Sequence, residues 1–427
     1  MAAVADTERP LLIADLFCGA GGSSTGAVRA LGRLGLAHEL VCVNHWAVAI
    51  ETHAANHPAA RHHCVDIGTA RPEVIVPEGY LDLLMASPTC TYHSRARGGK
   101  PTSDQQRMDP WHVVTWCTSL RVDRIMIENV PEFMQWGPVD PETGRPAPSR
   151  RGEFFGAWLS ALRAIGYTVE CRVLNCADHG DPTTRERFFL LGRRDGGPIT
   201  WPRQSHARPD GAAAMGKPGW RPAREIIDWS LASESIFTRA RPLKPKTLAR
   251  IGAGLSRFGA AAEPFLVVLR NHADARDLDL PLPAITAGGG HFGLVEPVQP
   301  IIVAQQSGGL ARPVSRPMAT IPALGAHALV EPLVMAYYGA NASAKPVSQT
   351  LDTVTTRDRF GLVEPVAGPP VDIRYRMLQP HELAGAMSFP GDYRFSGTKT
   401  DIKRQIGNAV PVRTADALVT ASFGVAA

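Results

Sequence analysis

Cys90 lies in Ser87-Pro88-Thr89-Cys90-Thr91, directly after the apolar run Leu81-Asp82-Leu83-Leu84-Met85-Ala86. That run has the length and punctuation of a buried strand, which puts the thiol on a loop just past a strand end. His93, Arg95, Arg97 and Lys100 follow closely. A thiol in such electropositive company is pushed toward thiolate, the form that acts as a nucleophile. Two carboxylates share the setting: Glu128 closes the short strand Ile125-Met126-Ile127, and Asp66 follows another. Open parallel sheets bind ligands at the carboxyl ends of their strands, where all three residues fall. The plain alternatives are an inert half-buried Cys and a Glu that caps a helix or pairs with an Arg.

The elements that must position these groups read as a nucleoside-binding α/β domain. Leu11-Leu12-Ile13-Ala14-Asp15-Leu16-Phe17 is a buried strand. It runs into the glycine turn Cys18-Gly19-Ala20-Gly21-Gly22 and then an apolar-periodic helix over 27–34. The glycines let a ligand approach the backbone, and the lack of Lys-Ser/Thr at the turn's end excludes a phosphate-gripping P-loop. A second strand over 39–43 leads to Asn44-His45-Trp46, and a third ends at Asp66-Ile67. Further strands are expected near 125–127, 168–173 and 188–191. Strands alternating with helices predict a mostly parallel sheet.

At this point the chain resembles the S-adenosylmethionine-dependent DNA (cytosine-5)-methyltransferases of bacterial or phage type. Asp15-Leu16-Phe17-Cys18-Gly19-Ala20-Gly21-Gly22 matches that family's cofactor motif, and Asp66-Ile67 its adenine-binding pair. Cys90, with Ser94 four residues on, matches the nucleophile loop, and Glu128-Asn129-Val130 the ENV motif. Arg185-Glu186-Arg187 matches the arginine motif, and Gln405-Ile406-Gly407-Asn408-Ala409-Val410-Pro411 the closing motif. Six matches in family order are far more specific than any one. The resemblance implies a Rossmann-like, mostly parallel methyltransferase domain with an inserted, smaller β-rich target-recognition domain. It implies S-adenosylmethionine held by Phe17, Gly19, Gly21, Gly22, His45, Trp46, Asp66, Ile67, Asn408 and Ala409. Catalysis would fall to Cys90, Glu128, Arg185 and Arg187. Carbon 5 of cytosine is too electron-poor to attack a methyl donor until a thiolate adds at carbon 6. Glu128 would steady ring nitrogen 3, with Asn129 holding the loop. One of the two arginines would meet the base carbonyl and the other a phosphate. Four positions depart from the pattern. Thr89-Cys90-Thr91 replaces Pro-Cys-Gln, His45 replaces the ribose-binding Glu, and Thr183 replaces the Gln before the arginine motif.

With 427 residues, 44% hydrophobic and 20% charged, the chain has the composition of a globular protein with room for two domains. No run approaches a membrane span and residues 1–9 lack a signal pattern, so a cytoplasmic, nucleoid-associated location without membrane contact is expected. Seven scattered Cys without C-x-x-C argue against disulfides and zinc ribbons. His53, His57, His62, His63 and Cys64 lack an acidic companion, and Pro58 interrupts them, so no metal is expected. Net charge is +5, yet 185–257 carries fifteen Lys/Arg against six Asp/Glu, which suggests a polyanionic partner.

Leu-Val-Glu-Pro recurs at 294–297, 329–332 and 362–365, each preceded by a Pro-led apolar strand. These define three β repeats, 264–297, 300–332 and 332–365. The expected organisation is a catalytic domain of 1–195 and 372–427 around a target-recognition domain of 196–371. Within the recognition domain Asn271, Arg276, Gln305, Arg312 and Arg357 are of the types that read base edges. Ser94, Arg95 and Arg97 on the nucleophile loop would also meet DNA. The expected partner is double-stranded DNA, bound by a monomer, with a cognate restriction enzyme as a second partner. Two alternatives stand beside this reading: an RNA (tRNA) cytosine-5 methyltransferase, and a catalytically impaired DNA-binding relative.

Overall fold

The computed structural model describes residues 9–89, 104, 107–258, 264–269, 275–287, 291–298, 301–302, 312–313, 333–338, 341–346, 360–362 and 372–424. These form two compact units. One comprises Met1–Asp228, Leu278–Gly290 and Leu378–Ala427, the other Trp229–Asp277 and His291–Met377.

The first unit is built on seven strands: β1 (Leu11–Leu16), β2 (His38–Asn44), β3 (Arg61–Cys64), β4 (Leu83–Ala86), β5 (Arg124–Asn129), β6 (Thr168–Asn175) and β7 (Glu186–Arg193). Their order across the sheet is β6-β7-β5-β4-β1-β2-β3. β1 to β5 are mutually parallel, and β7 runs antiparallel between β5 and β6. β1 is apolar on successive residues because both its faces are covered. Leu12, Ala14 and Leu16 join one core, and Ile13 the other. The apolar run before Cys90 begins its central strand at Leu83 rather than Leu81. Asp82 interrupts it, accepting the Leu12 amide at 2.7 Å and both arms of Arg9.

Four helices pack beside the strands they connect: α1 (Gly22–Leu34), α2 (Ala47–Asn56), α3 (Asp109–Ser119) and α4 (Glu153–Ala164). The C-terminal stretch adds α5 (Pro380–Ala386), α6 (Lys399–Asn408) and α7 (Val412–Phe423). α1 and α7 lie so close that only glycine fits between them. A Cβ on Gly22 would stand 2.2 Å from the Val410 carbonyl oxygen, and one on Gly26 2.5 Å from Ala415 Cβ. This contact, with Arg33 donating both guanidinium arms to Asp416, brings the closing motif back onto the glycine turn.

The start of α7 has no capping side chain of its own. Asp181 supplies one from far away in sequence, accepting from the amides of Arg413 (3.3 Å) and Thr414 (3.0 Å) and from the Thr414 hydroxyl (2.7 Å). Burial pushes its carboxyl up to about 6. An acid whose folded-state pKa exceeds its unfolded value near 4 contributes stability below about pH 4 and loses it as pH rises through about 6. Asp181→Ala is therefore expected to cost about 3 kcal/mol in urea unfolding near pH 5. The gap to wild type should narrow as the pH rises toward 8.

The first unit runs past residue 195 to Asp228 and takes in 278–290. There Leu282 exchanges backbone hydrogen bonds with Pro182 and Thr184, and a Cβ on Gly407 would stand 2.4 Å from the Thr286 carbonyl carbon. Ala284-Ile285-Thr286 of the first repeat thus belongs with the first unit, because its backbone packs against Gly407.

The second unit holds a five-stranded antiparallel sheet in the order 234–235, 372–377, 292–298, 265–268, 275–277. The helix Pro245–Phe258 lies against it through Ile251 and Phe265. In the first repeat Leu266 pairs with Leu294, and the equivalent positions two copies later, Val334 and Leu362, also pair. In the second copy Ile302 pairs with Arg312, as Leu266 pairs with Arg276 in the first.

Candidate active site

The carboxyl ends of β4 and β5 and the start of β7 meet at one edge of the first unit's sheet. Because β7 is antiparallel, its first residues lie where β5 ends: Phe188 pairs with Asn129 and Phe189 with Glu128. Arg187 then stands diagonally from Glu128 on the same face, a spacing long side chains span. Arg187 Nε donates to Glu128 Oε1 at 2.9 Å, with both side chains largely buried. Phe188, beside Arg187, is fully buried among Phe133 and Phe155, which anchors the start of β7.

Asn129 is wholly buried and ties two strand ends together. Its Nδ2 donates to the Pro88 carbonyl at 3.1 Å, and its Oδ1 accepts the Val130 amide at 2.9 Å. The backbone two residues before Cys90 is thus held to the residue after Glu128. Cys90 itself, with Ser94, Arg95 and Arg97, lies outside the described residues, as do Asn271, Gln305 and Arg357. Arg276 is exposed on a strand of the second unit; for Arg312 only the strand backbone is described.

Arg185 departs from expectation. It is 2% exposed and donates to the Ile285 carbonyl at 2.7 Å. A guanidinium so desolvated must satisfy its donors locally. That bond ties the start of β7 to the 278–287 segment.

The cofactor candidates gather at the ends of the adjacent strands β1, β2 and β3. Phe17, the residue after β1, adopts φ +59°, a left-handed backbone that side chains rarely take and that tends to mark functional turns. Gly19 follows at φ +53°. Among the described residues a Cβ there would meet only the Phe17 carbonyl oxygen, at 3.9 Å, which leaves one face of the turn clear of them. Gly21 packs against His53 and Tyr393, and Gly22 against Val410. Trp46 is half-buried at the start of α2, its amide held by Asn44 Oδ1 at 2.9 Å, while His45 is exposed. Asp66 is exposed, with Oδ1 accepting the Gly68 amide at 2.8 Å. Ile67 and Phe17 pack on the same core. Asn408 is exposed at the end of α6, and Ala409 is buried. An open glycine turn, an aromatic face and a carboxylate on neighbouring strand ends fit an adenosyl group.

Sequence reasoning missed three features here. Arg404 stacks over the Trp46 ring at 4.8 Å. It sits one helical turn before Asn408, a spacing that could have revealed it. The Tyr393 hydroxyl donates to the Ala20 carbonyl at 2.5 Å and steadies the turn. His53, set aside when metal was considered, is fully buried beneath the turn, with Nε2 2.9 Å from the Ser24 hydroxyl and 3.4 Å from Cys42 Sγ.

The family model for C-5 cytosine-specific DNA methylase matches residues 11–217 and 326–423. The type II methyltransferase M1.HphI of Haemophilus parahaemolyticus is 30% identical over 197 residues, 45% of this chain and 48% of that protein. M.AgeI of Thalassovita gelatinovora is 27% identical over 45% of this chain and 42% of its own. The matched region thus spans about half the length of these relatives. Among solved structures, a DNMT2 variant of Spodoptera frugiperda superposes with a TM-score of 0.53 at 16% identity, covering 97% of this chain and 99% of that one. A prophage-encoded DNA modification methyltransferase of E. coli gives 0.52 at 17% identity, covering 97% and 98%. At such identities the superpositions speak to the fold.

Proposed function

This chain belongs to the C-5 cytosine-specific DNA methylase family, and from that premise we propose that it methylates carbon 5 of cytosine in double-stranded DNA, using S-adenosylmethionine. The observation that carries the reading is the junction of three strand ends: Asn129 on the Pro88 carbonyl, and Glu128 on Arg187. This junction brings the chain leading to Cys90 to a carboxylate and a cation, the set that nucleophilic addition to a pyrimidine requires.

The Cys90 thiolate adds to carbon 6, making carbon 5 electron-rich; once carbon 5 carries the methyl group, water takes the carbon-5 proton and the carbon 6–sulfur bond breaks, returning Cys90. Glu128, oriented by Arg187, meets ring nitrogen 3 and the exocyclic amino group, and Arg187 faces the ring carbonyl. A ring stacked in a duplex is beyond reach of the thiol, so the base must be extruded. S-adenosylmethionine supplies an electrophilic methyl group. Phe17 and Trp46 give its adenosyl group apolar faces, Asp66 accepts from the adenine amino group, and Asn408 closes the methionine end. The second unit, with Arg276 exposed on it, is the candidate for target recognition.

The test is transfer of labelled methyl from S-adenosylmethionine to genomic DNA and, separately, to tRNA. Label in DNA as 5-methylcytosine is expected. Label confined to tRNA would replace this reading with the RNA one, and label in neither would leave a binding protein.

A further inference from the structure

Asp15 is a buried acid for which the chemistry above has no use. It is the penultimate residue of β1, 1% exposed, just before the glycine turn. Its Oδ2 lies 2.6 Å from the Ser24 hydroxyl. His53 Nε2 lies 2.9 Å from the same hydroxyl, and His53 Nδ1 lies 2.9 Å from His62 Nε2. His62 is half-buried on β3, the edge strand, so the chain of contacts runs from beneath the turn toward solvent.

Each group in this chain can donate in only one direction at a time. When Asp15 is ionised, Ser24 donates to it, His53 Nε2–H donates to Ser24, and His62 Nε2–H donates to His53 Nδ1. When Asp15 is protonated, every bond reverses. The two states differ by one proton and need no change of heavy-atom contacts. The other titratable groups around Asp15 offer it no positive charge near neutrality. Burial holds His53 well below its ordinary range and His57 at about 4. It also pushes up the Cys18 thiol and the Tyr393 hydroxyl. Cys42 stands in register with Asp15 on β2.

We propose that Asp15 is the counter-charge for a cationic cofactor: binding of the sulfonium on the turn above ionises it, and its proton leaves through Ser24, His53 and His62. The inference rests on the S-adenosylmethionine reading given above. The balance is one proton: Asp15 gives its proton to Ser24, Ser24 to His53 Nε2, and His53 Nδ1 to His62 Nε2, while the second ring nitrogen of His62 releases one to solvent. Burial, offset only by the hydrogen bonds from Ser24, pushes Asp15 up to about 7. It is then roughly half protonated at neutral pH and responsive to a nearby cation. The consequence is discrimination: S-adenosylhomocysteine, whose sulfur is neutral, lacks the charge that draws out the proton.

Isothermal titration calorimetry on the full chain at pH 7, in two buffers of different ionisation enthalpy, reads this directly. About half a proton should be released per S-adenosylmethionine bound, and distinctly less per S-adenosylhomocysteine. Asp15→Asn should abolish the difference. Ser24→Ala, which strips the carboxylate of its hydroxyl donor, should move the release to higher pH. Tight binding of both ligands with no proton release, or with equal release, overturns the inference and leaves the proposed function standing. Binding of neither ligand overturns both.

Discussion

Cys90→Ala is expected to lower methyl transfer by at least about 10,000-fold while DNA affinity stays within a few-fold of wild type. Without the sulfur no bond forms at carbon 6, and carbon 5 stays too poor in electrons to take a methyl group. Cys90→Ser should fare no better, because a hydroxyl ionises far less readily than a thiol and is a weaker nucleophile. Radiolabelled methyl incorporation, with electrophoretic mobility shifts on the same DNA, checks both halves. A Cys90→Ala protein of near wild-type rate would refute the covalent route.

Glu128→Gln carries the second large effect, and it acts on two levels. On the reaction, loss of the carboxyl should lower kcat by about 100- to 10,000-fold, with the KM for S-adenosylmethionine little changed. On the fold, it leaves the Arg187 guanidinium, mostly hidden from water, without its charge partner. Breaking a buried pair from one side costs about 3 kcal/mol, whereas replacing both partners by apolar or neutral groups costs less. Glu128→Gln combined with Arg187→Met should therefore recover much of the stability and none of the activity. Urea unfolding and initial rates on the single and double variants separate the two effects. Activity that returned together with stability would mean that Glu128 serves the fold alone.

The strand ends that carry chemistry were legible because burial on both faces writes β1, β4 and β5 as short apolar runs, and punctuation follows each. Glu128 and the glycine turn could be placed at strand ends on that basis. The direction of β7 was not legible. Phe188-Phe189-Leu190-Leu191 is apolar whichever way the strand runs, yet only the antiparallel arrangement brings Arg187 to Glu128. The fate of Arg185 was equally hidden. Its partner, the Ile285 carbonyl, is a hundred residues away and carries no side-chain signal. Asp181 capping α7 and His53 reaching Ser24 are also contacts between distant segments, made by residue types that occur everywhere. The Leu-Val-Glu-Pro repeat was visible as a period. Its strand pairing in the first and third copies, and the surrender of Ala284-Ile285-Thr286 to the first unit, depend on which backbone groups find partners.

The covalent bond from Cys90 to the extruded cytosine is the central step of the proposed reaction. A duplex carrying 5-fluorocytosine blocks the final loss from carbon 5 and so arrests the reaction with that bond intact. Incubated with S-adenosylmethionine, the wild-type chain should form a complex that survives denaturation, and peptide mass spectrometry should locate the nucleotide on Cys90. Turnover of ordinary DNA with no trapped complex, or an adduct on a different residue, would contradict it.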